Sequence, residues 1–188
     1  MAREFEIVLV TGGARSGKSS FALQKASSIQ GSKAFIATAR PEDPEMVDRI
    51  ERHQKERGPQ WKTYECPLNL LKTLIEALQQ HEVVVVDCLT LWISNLLFEL
   101  KNPERVKEEV DKLIETLVEM KYSLNLTRKV FFVTNEVGMG IVPENAVARQ
   151  FRDLAGLCNQ AFSSVADKVY LVISSIPIKI KGNCHGTE

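Results

Sequence analysis

Short runs of consecutive apolar residues alternate along the chain with longer segments in which apolar positions recur every three or four residues. The runs are Ile7–Thr11, Ala34–Thr38, Val83–Asp87, Val130–Thr134 and Val169–Ser174. They are rich in β-branched residues and unbroken by polar ones, as expected of strands covered on both faces. The segments between them read as helices: Ser19 to about Ile29, Pro44 to about Arg57, Pro67–Gln80, Pro103 to about Met120, and Glu144–Val165. Leu70, Leu71, Leu74, Ile75 and Leu78 fall at helical intervals, as do Val106, Val110, Leu113, Ile114, Leu117 and Val118. Prolines 44, 67, 103 and 143 stand near helix starts, where a missing N–H costs nothing.

This succession predicts right-handed crossovers and an α/β fold of three layers, a mostly parallel sheet between helices. Ile176–Ile180 reads as a last strand, turning back at Ser174-Ser175 and pairing antiparallel at an edge, where Pro177 is tolerated. No repeat or linker interrupts the pattern. Residues 1–181 are expected to form one domain and 182–188, lacking an apolar anchor, a mobile tail.

The first run is followed at once by Gly12-Gly-Ala-Arg-Ser-Gly-Lys-Ser19, a complete phosphate-binding loop between a strand and a helix. Backbone N–H groups and the helix dipole favour phosphate there. Gly12 and Gly17 let the backbone approach closely, while Gly13, Ala14, Arg15 and Ser16 complete the cradle. Lys18 supplies a point charge to the β- and γ-phosphates. Ser19 offers a hydroxyl to Mg²⁺, which takes few protein ligands. The chain is therefore expected to bind a nucleoside triphosphate.

Composition narrows the remaining classes. Of 188 residues, 24 are basic and 24 acidic, and no basic tract suggests a polyanion groove, so nucleic acid is not an expected partner. Apolar stretches fall well short of the ~20 residues that span a bilayer. The polar N-terminus has no signal-peptide pattern. Cysteines 66, 88, 158 and 184 show no metal-ligand spacing and suit a reducing cytoplasm. Cys88, ending an apolar run, reads as a small core residue.

In parallel sheets, ligands sit at the carboxyl ends of strands, here Thr11-Gly-Gly, Thr38-Ala-Arg40, Asp87-Cys-Leu-Thr90 and Thr134-Asn-Glu136. Asp87 follows four valines, as a Walker-B acid does, and would face a metal across from Ser19. The same position could instead cap a helix starting near Leu89, the weaker of the two readings. The glycine-punctuated loop Asn135–Pro143 reads as either a substrate-lining loop or a connector. His53 shares the apolar side of its helix with Met46 and Ile50, which suits a packed residue. It is also surrounded by Arg49, Arg52, Lys55 and Arg57, a setting for phosphate. A neutral imidazole, with reference pKa about 6.5, is a competent nucleophile.

Six segments carry a family resemblance: Leu9–Ser19, Phe35–Thr38, Arg49-Ile-x-x-His53, Trp61-x-Thr-x-Glu65, Asp87–Thr90 and Val133–Asn145. Arg149-x-Phe-Arg-Asp-x-Ala-Gly156 continues them. Together they resemble the bifunctional adenosylcobinamide kinase/adenosylcobinamide-phosphate guanylyltransferases of cobalamin synthesis. The resemblance implies a P-loop NTPase-like sheet with an antiparallel C-terminal edge strand, a homotrimer, and phosphorylation of adenosylcobinamide. GMP then passes from GTP to adenosylcobinamide phosphate through a guanylylated histidine, here His53. It also implies GTP contacts at Gly12–Ser19, at Thr38, Ala39 and Arg40, at Gln54, Lys55, Glu56 and Arg57, and at Glu65 and Asp87. Catalysis would rest on His53 and Lys18, with Ser19 and Asp87 toward Mg²⁺. Two other readings need only part of this set: a P-loop small-molecule kinase without nucleotidyl transfer, and a nucleotide-switched binding module.

Overall fold

In the computed structural model the described residues are 5–40, 58–123 and 127–182. The helix expected from Pro44 to about Arg57, with His53, lies outside them, as does the tail beyond Gly182.

Among the described residues, seven strands form one sheet in the order β3-β2-β4-β5-β1-β6-β7. They are β1 (Phe5–Gly12), β2 (Lys33–Ala37), β3 (Trp61–Glu65), β4 (Val83–Asp87), β5 (Arg128–Val133), β6 (Lys168–Ile173) and β7 (Ile176–Lys181). All pairings are parallel except β6–β7. The predicted α/β fold with an antiparallel C-terminal edge is what the chain adopts. Every residue of β1 is buried, which its unbroken apolar sequence requires.

Among the described residues the α-helices are α1 (Lys18–Ser27), α2 (Leu70–Gln80), α3 (Leu89–Leu100), α4 (Pro103–Ser123) and α5 (Ala146–Val165). Alternate strand residues divide the core. Ile7, Leu9, Val84, Val86, Val130 and Phe132 pack with α2 to α5, while Val8, Val10, Val83, Val85, Phe131 and Val133 pack with Ala22 and Ala26 of α1. On α4 the buried seam is Val106, Val110, Leu113 and Leu117, the spacing read from the sequence. Pro103 does open α4, with the Asn102 side chain accepting from the N–H groups of Glu104 and Arg105 at 3.0 and 3.3 Å. Pro67 does not open α2, which starts three residues later. Similarly, α5 starts at Ala146 because the Asn145 side chain, not Glu144, caps it through the N–H groups of Val147 and Ala148.

The hairpin turn between β6 and β7 consists of Ser174 and Ser175, with φ of 49° and 67°. Positive φ at both central residues suits the twist of a two-residue hairpin.

At the opposite end of the sheet from the phosphate loop, Glu6 is buried between Lys129, at 2.8 Å, and Lys168. Burial alone would raise its pKa, but the two ammonium groups outweigh it and hold the carboxyl below its ordinary value. As pH falls, the unfolded carboxylate protonates first. The stabilisation is therefore complete above the unfolded pKa of about 4.3 and is lost as pH drops through the lower folded value. Glu6→Gln leaves two lysines that, at 33% and 37% exposed, can turn to solvent. The expected cost at pH 7 is therefore about 1–2 kcal/mol, less than for a fully buried pair. Urea melts of both proteins should separate at pH 7 and converge below the folded pKa. A gap unchanged in acid would remove this ion triad from the stability of the fold.

Candidate active site at the switch point of the sheet

Neighbouring strands β1 and β5 send their following helices to opposite faces, α1 to one and α5 to the other. Such a switch point opens a crevice at the carboxyl ends of the strands, the usual ligand position in this class of sheet. The phosphate loop leaves β1 on one side of the crevice, and Asn135–Pro143 leaves β5 on the other.

Close packing shapes the loop. Gly12 has φ +149°, and a Cβ there would lie 2.3 Å from the Val172 carbonyl oxygen of β6. Gly17 has φ +94°, and its Cβ would lie 2.8 Å from the Ser175 Oγ. The Ser175 N–H also donates to the Ser16 carbonyl at 2.8 Å, so the edge hairpin braces the back of the loop. Gly13, Ala14 and Arg15 are exposed at its crest. Lys18, the first residue of α1, is 6% exposed and donates to the Gly13 carbonyl at 2.5 Å, so its ammonium spans the loop. Ser19 follows it, half-buried.

Strand register sets the rest of the row. Ala37 is level with Glu65 on one side and Asp87 on the other, and Asp87 is level with Val133. With strands about 4.8 Å apart, Glu65 and Asp87 stand roughly 10 Å from one another, and Asp87 stands about as far from β1. Glu65 is exposed and Asp87 half-buried. Asp87 does not cap α3: the cap is Cys88, whose Sγ accepts from the Leu91 N–H at 3.5 Å. Burial, reinforced by the charge of Asp87, pushes the Cys88 thiol up to about 12, so it stays protonated and inert at neutral pH. Cys88 is the core residue its sequence position suggests.

Thr38 has no exposed surface. Its hydroxyl accepts from the Cys88 N–H and donates to the Cys88 carbonyl, each at 2.8 Å. Its own carbonyl accepts from the Asn95 amide at 2.8 Å. Thr38 thus clamps the strand end that carries Asp87 and has no group turned outward, unlike the nucleotide contact that the resemblance implies. Ala39 and Arg40 are half-buried, and Arg40 pairs with Glu99 at 3.5 Å. His53, Gln54, Lys55, Glu56 and Arg57 lie outside the described residues.

A polar network at the crevice went unassigned by sequence reasoning. The Thr11 hydroxyl donates to Glu136 Oε1 at 2.5 Å, and the Glu136 N–H donates to the Gly12 carbonyl at 3.1 Å. The Asn159 amide donates to the same Glu136 oxygen at 3.1 Å and to the Asn135 carbonyl at 3.0 Å. Asn159 Oδ1 accepts from the Thr134 hydroxyl at 2.7 Å, which lies 3.2 Å from the Thr90 hydroxyl. Thr90 in turn accepts from the Asn135 N–H at 2.8 Å. One signal was available: Asn159 interrupts the buried stripe of Leu154, Ala155, Cys158 and Phe162 on α5. Beyond Glu136, the loop exposes Met139, Ile141 and Val142.

The chain is similar along most of its length to characterised proteins. It is 40% identical to the bifunctional adenosylcobalamin biosynthesis protein CobU of Salmonella typhimurium, over 93% of this chain and 99% of that protein. With the Escherichia coli protein of the same name the identity is 39% over the same shares. With CobP of Pseudomonas aeruginosa it is 37%, over 93% of this chain and 96% of that protein. Residues 8–180 match one family model, so the chain belongs to the cobinamide kinase / cobinamide phosphate guanyltransferase family.

Proposed function

We propose that this chain phosphorylates adenosylcobinamide with ATP or GTP and then transfers GMP from GTP to the adenosylcobinamide phosphate, releasing pyrophosphate. The observation that carries this reading is a complete phosphate loop at the switch crevice of a chain that matches the family from residue 8 to 180.

In the first step the cradle Gly12–Ser19 holds the triphosphate and the substrate hydroxyl attacks the γ-phosphorus in line. Catalysis there is positioning and charge stabilisation. Lys18 leaves the Gly13 carbonyl to meet the phosphate oxygens. In the second step His53 attacks the α-phosphorus, pyrophosphate leaves, and the phosphate of the product of the first step collects GMP from the histidine. The arginines and lysines near His53 in sequence offset the charge of two phosphates approaching each other. Gln54–Arg57, with Ala39 and Arg40, would line the nucleotide, and Glu65 would read its base.

The donors at the crevice suit Mg²⁺. Ser19 and Asp87 are hard oxygen ligands, and β5 lies between β4, which Asp87 ends, and β1, from which the loop leads to Ser19, which leaves room for the waters Mg²⁺ retains. When bound there, the cation would neutralise charge on the phosphates.

Residues 1–181 would act as one catalytic domain, with 182–188 as a tail. The free, buried thiols Cys66, Cys88 and Cys158 support work in a reducing cytoplasm. For the trimer, Ile173, Ile176, Ile178 and Ile180 offer an exposed apolar edge to a second copy. Light scattering should return about three times the chain mass, and a monodisperse monomer would remove this assembly.

Product analysis after incubation with cobinamide, ATP and GTP tests the function directly, and single substitutions divide it. Lys18→Ala should slow both steps by about 30- to 1000-fold, since each develops charge on phosphates that the loop holds. His53→Ala should abolish guanylyl transfer alone. With α-labelled GTP the wild type should retain label that survives alkali and is lost in acid, as a phosphoramidate is, whereas γ-label should not remain. GMP mapped to any other residue would defeat the histidine route.

Glu65 gives a separate test. A carboxylate accepts from both guanine N1–H and the exocyclic amine, while adenine presents an acceptor at N1. Glu65→Gln should therefore weaken GTP in transfer more than ATP in phosphorylation. Equal losses would show that Glu65 does not read the base.

A further inference from the structure

The kinase half of the proposed reaction has a requirement that the guanylyl half lacks. An alcohol oxygen must lose its proton as it bonds to phosphorus, whereas imidazole and a phosphate dianion attack with lone pairs already available. Phosphorylation of the hydroxyl thus calls for a carboxylate beside the phosphate loop, oriented yet able to accept a proton.

Glu136 meets that description. It follows β5, the strand next to β1 at the switch point, whereas Asp87 ends β4 one strand further away and Glu65 ends the far edge strand. Its N–H is bonded to Gly12, the first residue of the loop, at 3.1 Å. Its side chain is held on one oxygen only, where Oε1 accepts from Thr11 at 2.5 Å and Asn159 at 3.1 Å. Asn159 is 8% exposed, and its orientation is fixed by Thr134 and the Asn135 carbonyl, so it cannot turn its oxygen toward the carboxylate. Oε2 accepts no hydrogen bond among the described residues. It is not a buried orphan, since the one such side-chain atom among them is His81 Nδ1. One oxygen is therefore anchored and the other meets solvent at the crevice.

The geometry points to Glu136 as the general base of phosphoryl transfer to the cobinamide hydroxyl, an inference that rests on the kinase reading above. As the hydroxyl oxygen bonds to the γ-phosphorus, the bond from that phosphorus to the β–γ bridging oxygen breaks. The nucleoside diphosphate leaves with the electron pair, and the hydroxyl proton passes to Oε2. Glu136 returns the proton to water once product has left. In guanylyl transfer it has no proton to take.

Glu136→Gln keeps an acceptor for Thr11 and Asn159 but not the basicity. With cobinamide and ATP or GTP, its kcat should fall by about 100- to 1000-fold, the usual contribution of a general base. The KM for nucleotide should stay within about twofold, because binding is not what the substitution removes. Supplied with cobinamide phosphate and GTP, the same variant should transfer GMP at close to the wild-type rate, which also reports that it is folded. Glu136→Asp retains a base withdrawn by one methylene and should give an intermediate kinase rate with normal transfer. It decides the matter on the same split if the Gln variant does not fold. A Gln variant as fast as wild type in phosphorylation would overturn the assignment. So would equal losses in both half-reactions, which would make Glu136 a support of the loop or a cation ligand. Wild-type protein that does not phosphorylate cobinamide would instead defeat the functional reading on which the assignment rests.

Discussion

β1 is buried along all eight of its residues, with β5 and β6 hydrogen-bonded to its two edges and helices over both faces. A strand so enclosed can present polar chemistry only where it ends. At its start the single intruding carboxylate, Glu6, has to be neutralised by lysines from both neighbouring strands. At its end the backbone turns through Gly12 into the phosphate loop, so close to β6 that a side chain at that position would strike the Val172 carbonyl. The loop is thus held from behind by β6 and its hairpin, and from the side by the residues that follow β5. Its open face is the crest at Gly13–Arg15.

Much of this was legible because the physics acts locally. Doubly covered strands need continuous apolar sequence, and β1, β2, β4 and β5 have it; β6 has it too, although only Val169 and Val172 of it are buried. The C-terminal hairpin showed itself through two serines between isoleucine-rich halves, with proline at an edge. One strand was missed, and one helix was read only as a start near Leu89 with no extent, each for a physical reason. β3, Trp61-Lys-Thr-Tyr-Glu65, is an edge strand with one buried residue, and its polar composition carries no core signal. α3, Leu89–Leu100, buries residues around much of its circumference, among them Thr90, Trp92, Ile93, Leu96 and Leu97, which blurs the period that betrays a surface helix.

The site was legible in its loop and only partly in its surroundings. The letters at Gly12–Ser19 announce phosphate by themselves, because one short segment makes the whole cradle. Thr38 and Asp87 could not be sorted from sequence, since both end strands in the same way. Their roles separate only when Thr38 is found clamped to Cys88, and Cys88 is found capping α3 in place of Asp87. The network around Glu136 joins residues from β1, α3, the end of β5 and α5, up to 148 positions apart along the chain (Thr11 and Asn159), and no local pattern encodes such a meeting.

That network runs against the interest of stability. A buried Asn159 on an otherwise apolar stripe costs more to desolvate than a leucine of similar size, and each of its bonds returns only about 1 kcal/mol net. Thr90, Thr134 and Asn159 are all nearly closed to solvent, so losing any one partner would strand the others. What these residues supply is direction. Each donor is already engaged, Thr134 on Asn159 and Asn159 on Glu136, so the last carboxylate in the series is turned with one oxygen fixed. Polar burial of this kind sits at the switch-point crevice, whereas the interior below it is built of aliphatic and aromatic side chains. The sheet is optimised for packing along its length and for orientation at one end, and the boundary between the two falls at the residues that close β1 and β5.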